Sequence, residues 1–431
     1  MPTALLPGLR STTLTACIAG ALSLGTCIPA LAGLVTNCDD SGPGSFREQV
    51  SLAGDGELVE LGELTCSLIT LTSGEVVTRA QTIDIHGSPD HRVVIDAANH
   101  SRILRHDGYS NLDIENLTFI NGKYSASSDA SGGCIRSKGH VQLIGDALSN
   151  CQVVSTGTGD AKGGAVYGLQ GAVLYSTTIS GNFAISDSAD ARGGGVYSGY
   201  NLRTNHAVTL SGNTAVGATS CGGGAFTLGD VFLQHMTVSG NSADIGGGLC
   251  LHFGTQSSPN LLVSQITVSG NTATSSVGGV FSRAPLNLLN STVTDNTEAV
   301  QAGAGVYVEG ASQLDSTIVS GNHSGSTPMD IGGSSGASVT GSHNLIGIPG
   351  LAMPSDTVFS NNPGLGPLAD NGGATLTHLP AFNSLAVNHG HEVGNLMTDQ
   401  RDAGFPRSVD GAIDIGAIEY NDDIIFVNGF N

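Results

Sequence analysis

The side chains able to do chemistry in this chain are few, and most are acidic. Its 431 residues hold 15 lysines and arginines against 36 aspartates and glutamates, with 13 histidines. Toward the C-terminus, "NHGH" sets His389 and His391 two residues apart, with His378 nearby. In a strand that spacing puts both rings on one face, and imidazoles so placed can hold a metal ion. A solvated loop needs no metal, and that reading is adopted. Just beyond lie Asp399, Gln400, Arg401, Arg407, Asp414, Gly416 and Glu419. Their acids and guanidiniums could form a catalytic constellation, but a salt-bridged capping module is the preferred reading.

Two further chemistries can be weighed. A glycosidase needs two carboxylates flanking the scissile bond; a lyase needs a cationic cluster, or calcium with an Arg or Lys base. The sequence puts no two acids on one groove. Its Lys and Arg look scattered, without a basic patch, and with no Trp and 5% aromatics sugar platforms are scarce. A groove of carboxylates with Arg and Lys would favour an enzyme. The glycine-rich stretch "MTVSGNSADIGGGLC" (236–250) lacks G-K-[ST], and Lys162 before Gly163 has the wrong order for a phosphate cradle. No catalytic residue, metal or cofactor is therefore assigned. A net charge of −21 repels phosphate backbones, so nucleic acid is not an expected partner.

The elements that must position any such residues show themselves as repeats. An Asn recurs at the end of T-[IVL]-S-G-N-like segments: Asn182, Asn213, Asn241, Asn271, Asn296 and Asn322, spaced 25 to 31 residues apart. Asn150 and Asn121 extend the series in degraded form. A second landmark runs in phase: paired glycines and then an apolar residue, as in "GGAVY" at Gly163, "GGGVY" at Gly193 and "GGGAF" at Gly222. Between landmarks lie short β-branched runs bounded by Gly, Asn, Asp and Ser, with no helical spacing. Short strands restarting at this period form a parallel β-helix, each coil rising by one strand separation, about 4.8 Å. The Asn would sit at a corner, where it tolerates a left-handed backbone, and its amide would bond up and down the stack as a ladder. The residue after the glycines points inward, and the Tyr or Phe after it outward.

The ends read differently. Residues 1–32 resemble a signal peptide, with Arg10, an apolar run from Leu14 to Ile28 and "ALA" ending at Ala32. Residues 33–66 form an N-terminal cap with a short helix, where Ser45 and Glu48 fit a capping box. Coils occupy 67–347, a C-terminal module 348–420, and an apolar tail 421–431. That tail is either a sorting signal or a last strand. Six cysteines lie beyond the leader, and an even number in an oxidising compartment favours disulfides. Cys38 with Cys66 is the best pair; the pairing of Cys134, Cys151, Cys221 and Cys250 stays open. No transmembrane segment is expected after the leader, and no translocator barrel.

The array resembles right-handed β-helix proteins with polymorphic outer-membrane-protein repeats, carried here by the GG-apolar and Asn landmarks. The tail is similar to the choice-of-anchor Q module of bacterial exported proteins. The matching residues are Asn344 to Gly347, Leu365 to Thr375, Ser384 to Gly390, Asp399 to Arg401, Pro406-Arg407 and Asp414 to Glu419. Two positions depart: Asn388 stands where that pattern has Asp, and Asp402 where Gly follows DQR. The resemblance implies an all-β, right-handed parallel β-helix, secreted or at the cell surface of a bacterium. The expectation is a monomer that binds a glycan or surface protein, or serves structurally, without catalysis. The alternative is a polysaccharide lyase or glycoside hydrolase.

Overall fold

A computed structural model describes residues 33–251, 254, 259–299, 302–325 and 328–421. The leader-like segment 1–32 and all but Asn421 of the tail lie outside the described residues. The chain is a right-handed parallel β-helix. Each coil visits three sheets, which hold 21, 12 and 10 strands among the described residues. The ten-stranded sheet counts the turns, from Val76–Thr78 to Ile331–Gly333, and every pairing in it is parallel. The fold follows from the repeat. The column of the apolar residue after the glycines runs Val76, Leu104, Ile135, Val166, Val196, Ala225, Leu249, Val280, Val306 and Ile331, all in register and fully buried, with Val76, Leu104 and Ile331 taking the place without a glycine pair before them. No single coil could bury that column; stacking makes it continuous.

The paired glycines let coils touch. A Cβ on Gly194 would meet the Gly223 carbonyl oxygen at 2.5 Å, and one on Gly164 would lie 1.9 Å from that of Gly194. At the next corner Asn182, Asn213, Asn241, Asn271, Asn296 and Asn322 are all buried. Each donates through Nδ2 to Oδ1 of the next, at 2.8 to 2.9 Å, and Asn322 passes the chain to Asp330 Oδ1 at 2.9 Å.

The left-handed residue, however, is the one before the Asn. Gly181, Gly212, Gly240, Gly270, Asp295 and Gly321 have φ between 59° and 75°, whereas the ladder asparagines do not. Asn121 and Asn150 occupy this preceding position, at φ 56° and 54°. They are therefore substitutes for the corner glycine and not rungs of the ladder. The first rung accepts from Cys151, whose N–H reaches Asn182 Oδ1 at 2.8 Å.

The described residues contain one α-helix, Phe46–Leu52, with Ser45 as N-cap. Ser45 Oγ accepts from Glu48 N–H at 3.2 Å, and the Glu48 carboxylate accepts from Gly44 N–H at 2.7 Å. Phe46 and Val50 are buried against the first coils. The largest sheet already begins inside this cap, where Glu57–Glu60 pairs with Ile83–His86. Disulfides join Cys38–Cys66, Cys134–Cys151 and Cys221–Cys250. No helix among the described residues is long and apolar enough to cross a membrane.

After Val358–Phe359, the last strand of the largest sheet, the chain forms an antiparallel pair, Leu365–Ala369 with Thr377–Pro380, and lies along the flank of that sheet. Gln400 Nε2 donates to Thr237 Oγ1 at 3.1 Å and Gln400 Oε1 accepts from Thr267 Oγ1 at 2.7 Å. The Ala417 N–H donates to Thr292 Oγ1 at 3.0 Å, and Gly416 N–H to the Ser316 carbonyl at 2.8 Å. Ala386 and Ile415 pack on Ile318 and Leu345. The module thus covers the outer face of several late coils.

Candidate functional site

The outward residues of the coils stack in columns as regular as the core. On the ten-stranded sheet one column runs Arg105, Arg136, Tyr167, Tyr197, Phe226. On the neighbouring twelve-stranded sheet another runs Ser131, Lys162, Arg192, Cys221. Between them opens a cleft of about 540 Å³, lined by Arg102, Arg105, Asp107, Tyr124, Asp129, Ser131, Arg136, Lys138, Lys162 and Tyr167. Five of the chain's 15 basic residues line it. The basic residues, expected to be scattered, are brought together because a one-residue column draws on positions about 30 residues apart.

The charges form a connected network. Asp107 lies 3.2 Å from Arg105 Nε, 3.4 Å from Lys138 Nζ and 3.5 Å from Arg136. Glu75 accepts from Arg105 at 2.8 Å and also from the buried Arg102, whose guanidinium sits 3.9 Å from the centre of the Tyr124 ring. Lys162 lies between Asp129 at 3.0 Å and Asp160 at 3.1 Å. Arg192 meets Asp160 at 3.0 Å and Asp190 at 2.5 Å.

This network fixes protonation states. Burial alone would raise Asp107, but Arg105, Lys138 and Arg136 outweigh it and hold the carboxyl below its usual range. The Asp160 amide and Lys162 do the same for Asp129. Burial alone would lower Lys162, yet Asp129 and Asp160 outweigh it and raise the amine above its ordinary value. Burial raises Tyr167 and Tyr197. The rings stack on one another, Tyr167 on Tyr197 at 5.0 Å and Tyr197 on Phe226 at 5.3 Å. Tyr197 and Phe226 are buried, so only the end of the stack, the half-buried Tyr167, reaches the cleft. The cleft therefore offers cationic donors, ionised acceptors, and in Tyr167 a phenol that stays protonated.

The C-terminal candidates gather elsewhere and face inward. Arg401 grips Asp399 through Nη2 at 2.6 Å and Nε at 3.1 Å. Arg407 meets Glu419 at 2.9 Å and donates to the Asp414 and Gly416 carbonyls and to Asn290 Oδ1. Asp414 accepts from the Asn388 and Tyr420 N–H groups, and Glu419 Oε2 accepts from Asp414 N–H. All five charged side chains are buried. Burial lifts the Glu419 carboxyl to about 8, against the pull of Arg407. Gly416 has φ 115°, and a Cβ there would press on Ile318 and Thr292 at 2.9 Å. Asp402, at φ 71°, takes the left-handed place a glycine would fill, and its carboxylate bonds His206 of the β-helix.

The three histidines do not converge. The exposed His389 bonds the Val387 carbonyl, His378 bonds the Gly366 carbonyl and Ser269 Oγ, and His391 lies tilted against His343, 4.5 Å between centroids. No group of three His, Cys, Asp or Glu among the described residues is placed to hold a metal ion. A second acidic pair, missed in the sequence, sits on the largest sheet, where Asp84 and Asp113 are register neighbours. Burial, Asp84 and Glu115 push Asp113 up to about 6.

Fold and site together define a disulfide-stapled right-handed parallel β-helix with a polar cleft on one flank. Among solved structures the chain is similar to the crystal structure of pectate lyase Pel9A, at 12% identity and a TM-score of 0.47, over 90% of this chain and 97% of that one. No family model matches the chain, and no curated protein matches it.

Proposed function

We propose that this is an exported bacterial β-helix protein that binds a saccharide in the Arg105–Tyr167 cleft without cleaving it. The observation that carries the reading is the convergence there of guanidinium and ammonium donors, carboxylate acceptors and tyrosine rings. That set matches the hydroxyls and ring faces of a sugar, in a cleft of ligand-binding size. Export is supported by the leader-like residues 1–32 and by three disulfides, which suit an oxidising compartment. The module around Asp399–Arg401 and Asp414–Glu419 is, in this reading, a choice-of-anchor Q module. Its buried charge pairs serve to hold it on the coils.

A lyase or hydrolase is the second reading, favoured by carboxylates lying with Arg and Lys in one cleft. The protonation states weigh against it. A general acid or base works best with a pKa near the working pH. Here Lys162 is held protonated, Asp107 and Asp129 ionised, and Tyr167 neutral. Calorimetric titration against neutral and acidic oligosaccharides tests the proposal. Saturable binding is expected, weakened about tenfold or more by Tyr167→Ala, with the oligosaccharide recovered intact. Release of reducing ends or unsaturated products would move the assignment to the enzyme. No binding across the panel would overturn the saccharide reading.

A further inference from the structure

The charges in the cleft are unevenly distributed along the axis. At the N-terminal end Arg102, Arg105, Arg136 and Lys138 face Glu75 and Asp107, four cations to two anions. Further along, Lys162 and Arg192 pair with Asp129, Asp160 and Asp190, but of these only Lys162 and Asp129 line the cleft, so its lining holds five cations, Arg102, Arg105, Arg136, Lys138 and Lys162, against Asp107 and Asp129. The surplus cation is therefore local, and in a chain of net charge −21 it stands against the overall field. Asp107 alone is shared by three cations and cannot satisfy all their donors, since guanidinium carries five N–H groups and ammonium three. Arg136 makes one side-chain hydrogen bond, to Ser131 Oγ at 3.2 Å, and its ion pair with Asp107 is a long 3.5 Å. Arg136 and Lys138 side chains are 26% and 32% exposed, enough to reach a ligand. Lys138 also lies 5.6 Å from the centre of the exposed Tyr109 ring.

We infer that this end of the cleft is a carboxylate subsite, and that the saccharide it takes carries a uronic acid. The inference rests on the saccharide-binding reading and narrows it. Arg105, Arg136 and Lys138 would receive the carboxylate. Asp129, on Arg136's coil but on the neighbouring sheet, would accept from ring hydroxyls, and Tyr167 lines the cleft one coil along. Rungs are spaced by about one strand separation, roughly 4.8 Å, close to the length of one sugar residue, so neighbouring functional groups of a single chain fall on neighbouring coils. A sulfate has no hydroxyl donor for Asp129, and a phosphate is too small to span from the cations to it, so the pairing of cations with an acceptor favours a polyhydroxy acid.

The test is calorimetric titration of the full exported chain with three probes: a uronate oligosaccharide, its carboxyl-reduced counterpart, and inorganic phosphate. The uronate is expected to bind at least about tenfold tighter than the carboxyl-reduced chain, with an affinity that falls as salt rises. Arg136→Gln and Lys138→Gln should each erase most of that preference, weakening the uronate by a much larger factor than the carboxyl-reduced chain; the second variant guards against misfolding of the first. Tyr167→Ala should weaken both saccharides alike. Equal affinity for the two saccharides would overturn the carboxylate subsite and leave saccharide binding standing. Phosphate binding as tight as the uronate would overturn it in favour of a plain anion site. Failure to bind either saccharide would instead remove the saccharide reading on which the inference depends.

Discussion

Asn241 gives the sharpest test of how this solenoid holds together. Its Oδ1 accepts from the Asn213 N–H and from Asn213 Nδ2, both at 2.9 Å. Its Nδ2 donates to the Leu210 carbonyl and to Asn271 Oδ1, both at 2.9 Å. Asn241→Leu keeps the branched shape and deletes all four bonds. Two donors on Asn213 are then stranded at a site with no solvent exposure. A buried unsatisfied group costs about 1–3 kcal/mol, so the pair costs about 2–6 kcal/mol. Leucine's apolar surface returns up to about 2 kcal/mol, leaving a net loss near 3 kcal/mol. Because coils contact only their neighbours, the loss should be local. Hydrogen exchange should show the backbone amides around Asn213 and Asn241 losing roughly a hundredfold in protection while the first coils keep theirs.

Asn241→Asp separates the hydrogen bonds from the shape. The retained Oδ1 still accepts from Asn213. The second oxygen replaces Nδ2 and faces two acceptors, Leu210 O and Asn271 Oδ1. Ionised, it is repelled and desolvated; protonated, it donates to one of them. Its folded pKa should lie above the unfolded value of about 3.9. For an acid raised in this way, the favourable protonated state is fully present below the unfolded pKa and is lost as pH rises through the folded one. The deficit of Asn241→Asp relative to wild type, read from urea midpoints, should therefore shrink as pH is lowered from 8 to 4. The leucine variant's deficit should not. An aspartate variant as stable as wild type at pH 8 would refute the ladder as a source of stability. So would a leucine variant no worse than Asn111→Leu on an exposed strand end.

Three further outcomes are expected. Arg407→Ala strips the buried Asp414 and Gly416 carbonyls and Asn290 Oδ1 of a donor and should cost about 3 kcal/mol or more of module docking, read as faster proteolysis after residue 348 with the coils still resistant. Asp113, raised to about 6, is ionised more readily in the unfolded chain, so stability falls as pH rises from about 4 through 6. Asp113→Asn should raise stability at pH 8, read from the urea midpoint, by about 1 kcal/mol after discounting for its partial exposure, and leave it unchanged at pH 4. Replacing Cys38 and Cys66 by serine opens a 28-residue loop and should cost about 3.5 kcal/mol, seen as early melting of the helix Phe46–Leu52.

The coils were legible because stacking forces each core position to recur, and the paired glycines mark where coils touch. The corner was read one residue out of place for a physical reason. Two adjacent positions there have different needs, a left-handed backbone and a buried amide, and asparagine suits both. Matching Asn with Asn therefore joined Asn121 and Asn150 to the ladder, although their neighbours Gly122 and Cys151 occupy its column. The cleft was illegible to a search along the chain because its residues are neighbours only across coils. The signal was nonetheless present in phase with the repeat. The triplets Asp129-Ala-Ser, Asp160-Ala-Lys and Asp190-Ala-Arg precede each glycine pair, and Arg105, Arg136 and Tyr167 each follow an inward apolar residue.

The same column logic locates the C-terminal module. On the largest sheet one outward column runs Thr178, Thr209, Thr237, Thr267, Thr292, Ile318, Leu345. A solvent-facing column has no reason to turn from threonine to isoleucine and leucine, since an exposed apolar stripe invites association. Something must cover it, and the covering side chains are Ala386 and Ile415 over the apolar end and Gln400 over the threonines. Gln400, between the Asp399 and Arg401 that knit the module internally, is thus the residue that reads the coil face. In a β-helix the outward columns, read as carefully as the inward ones, show where chemistry or a neighbour must lie.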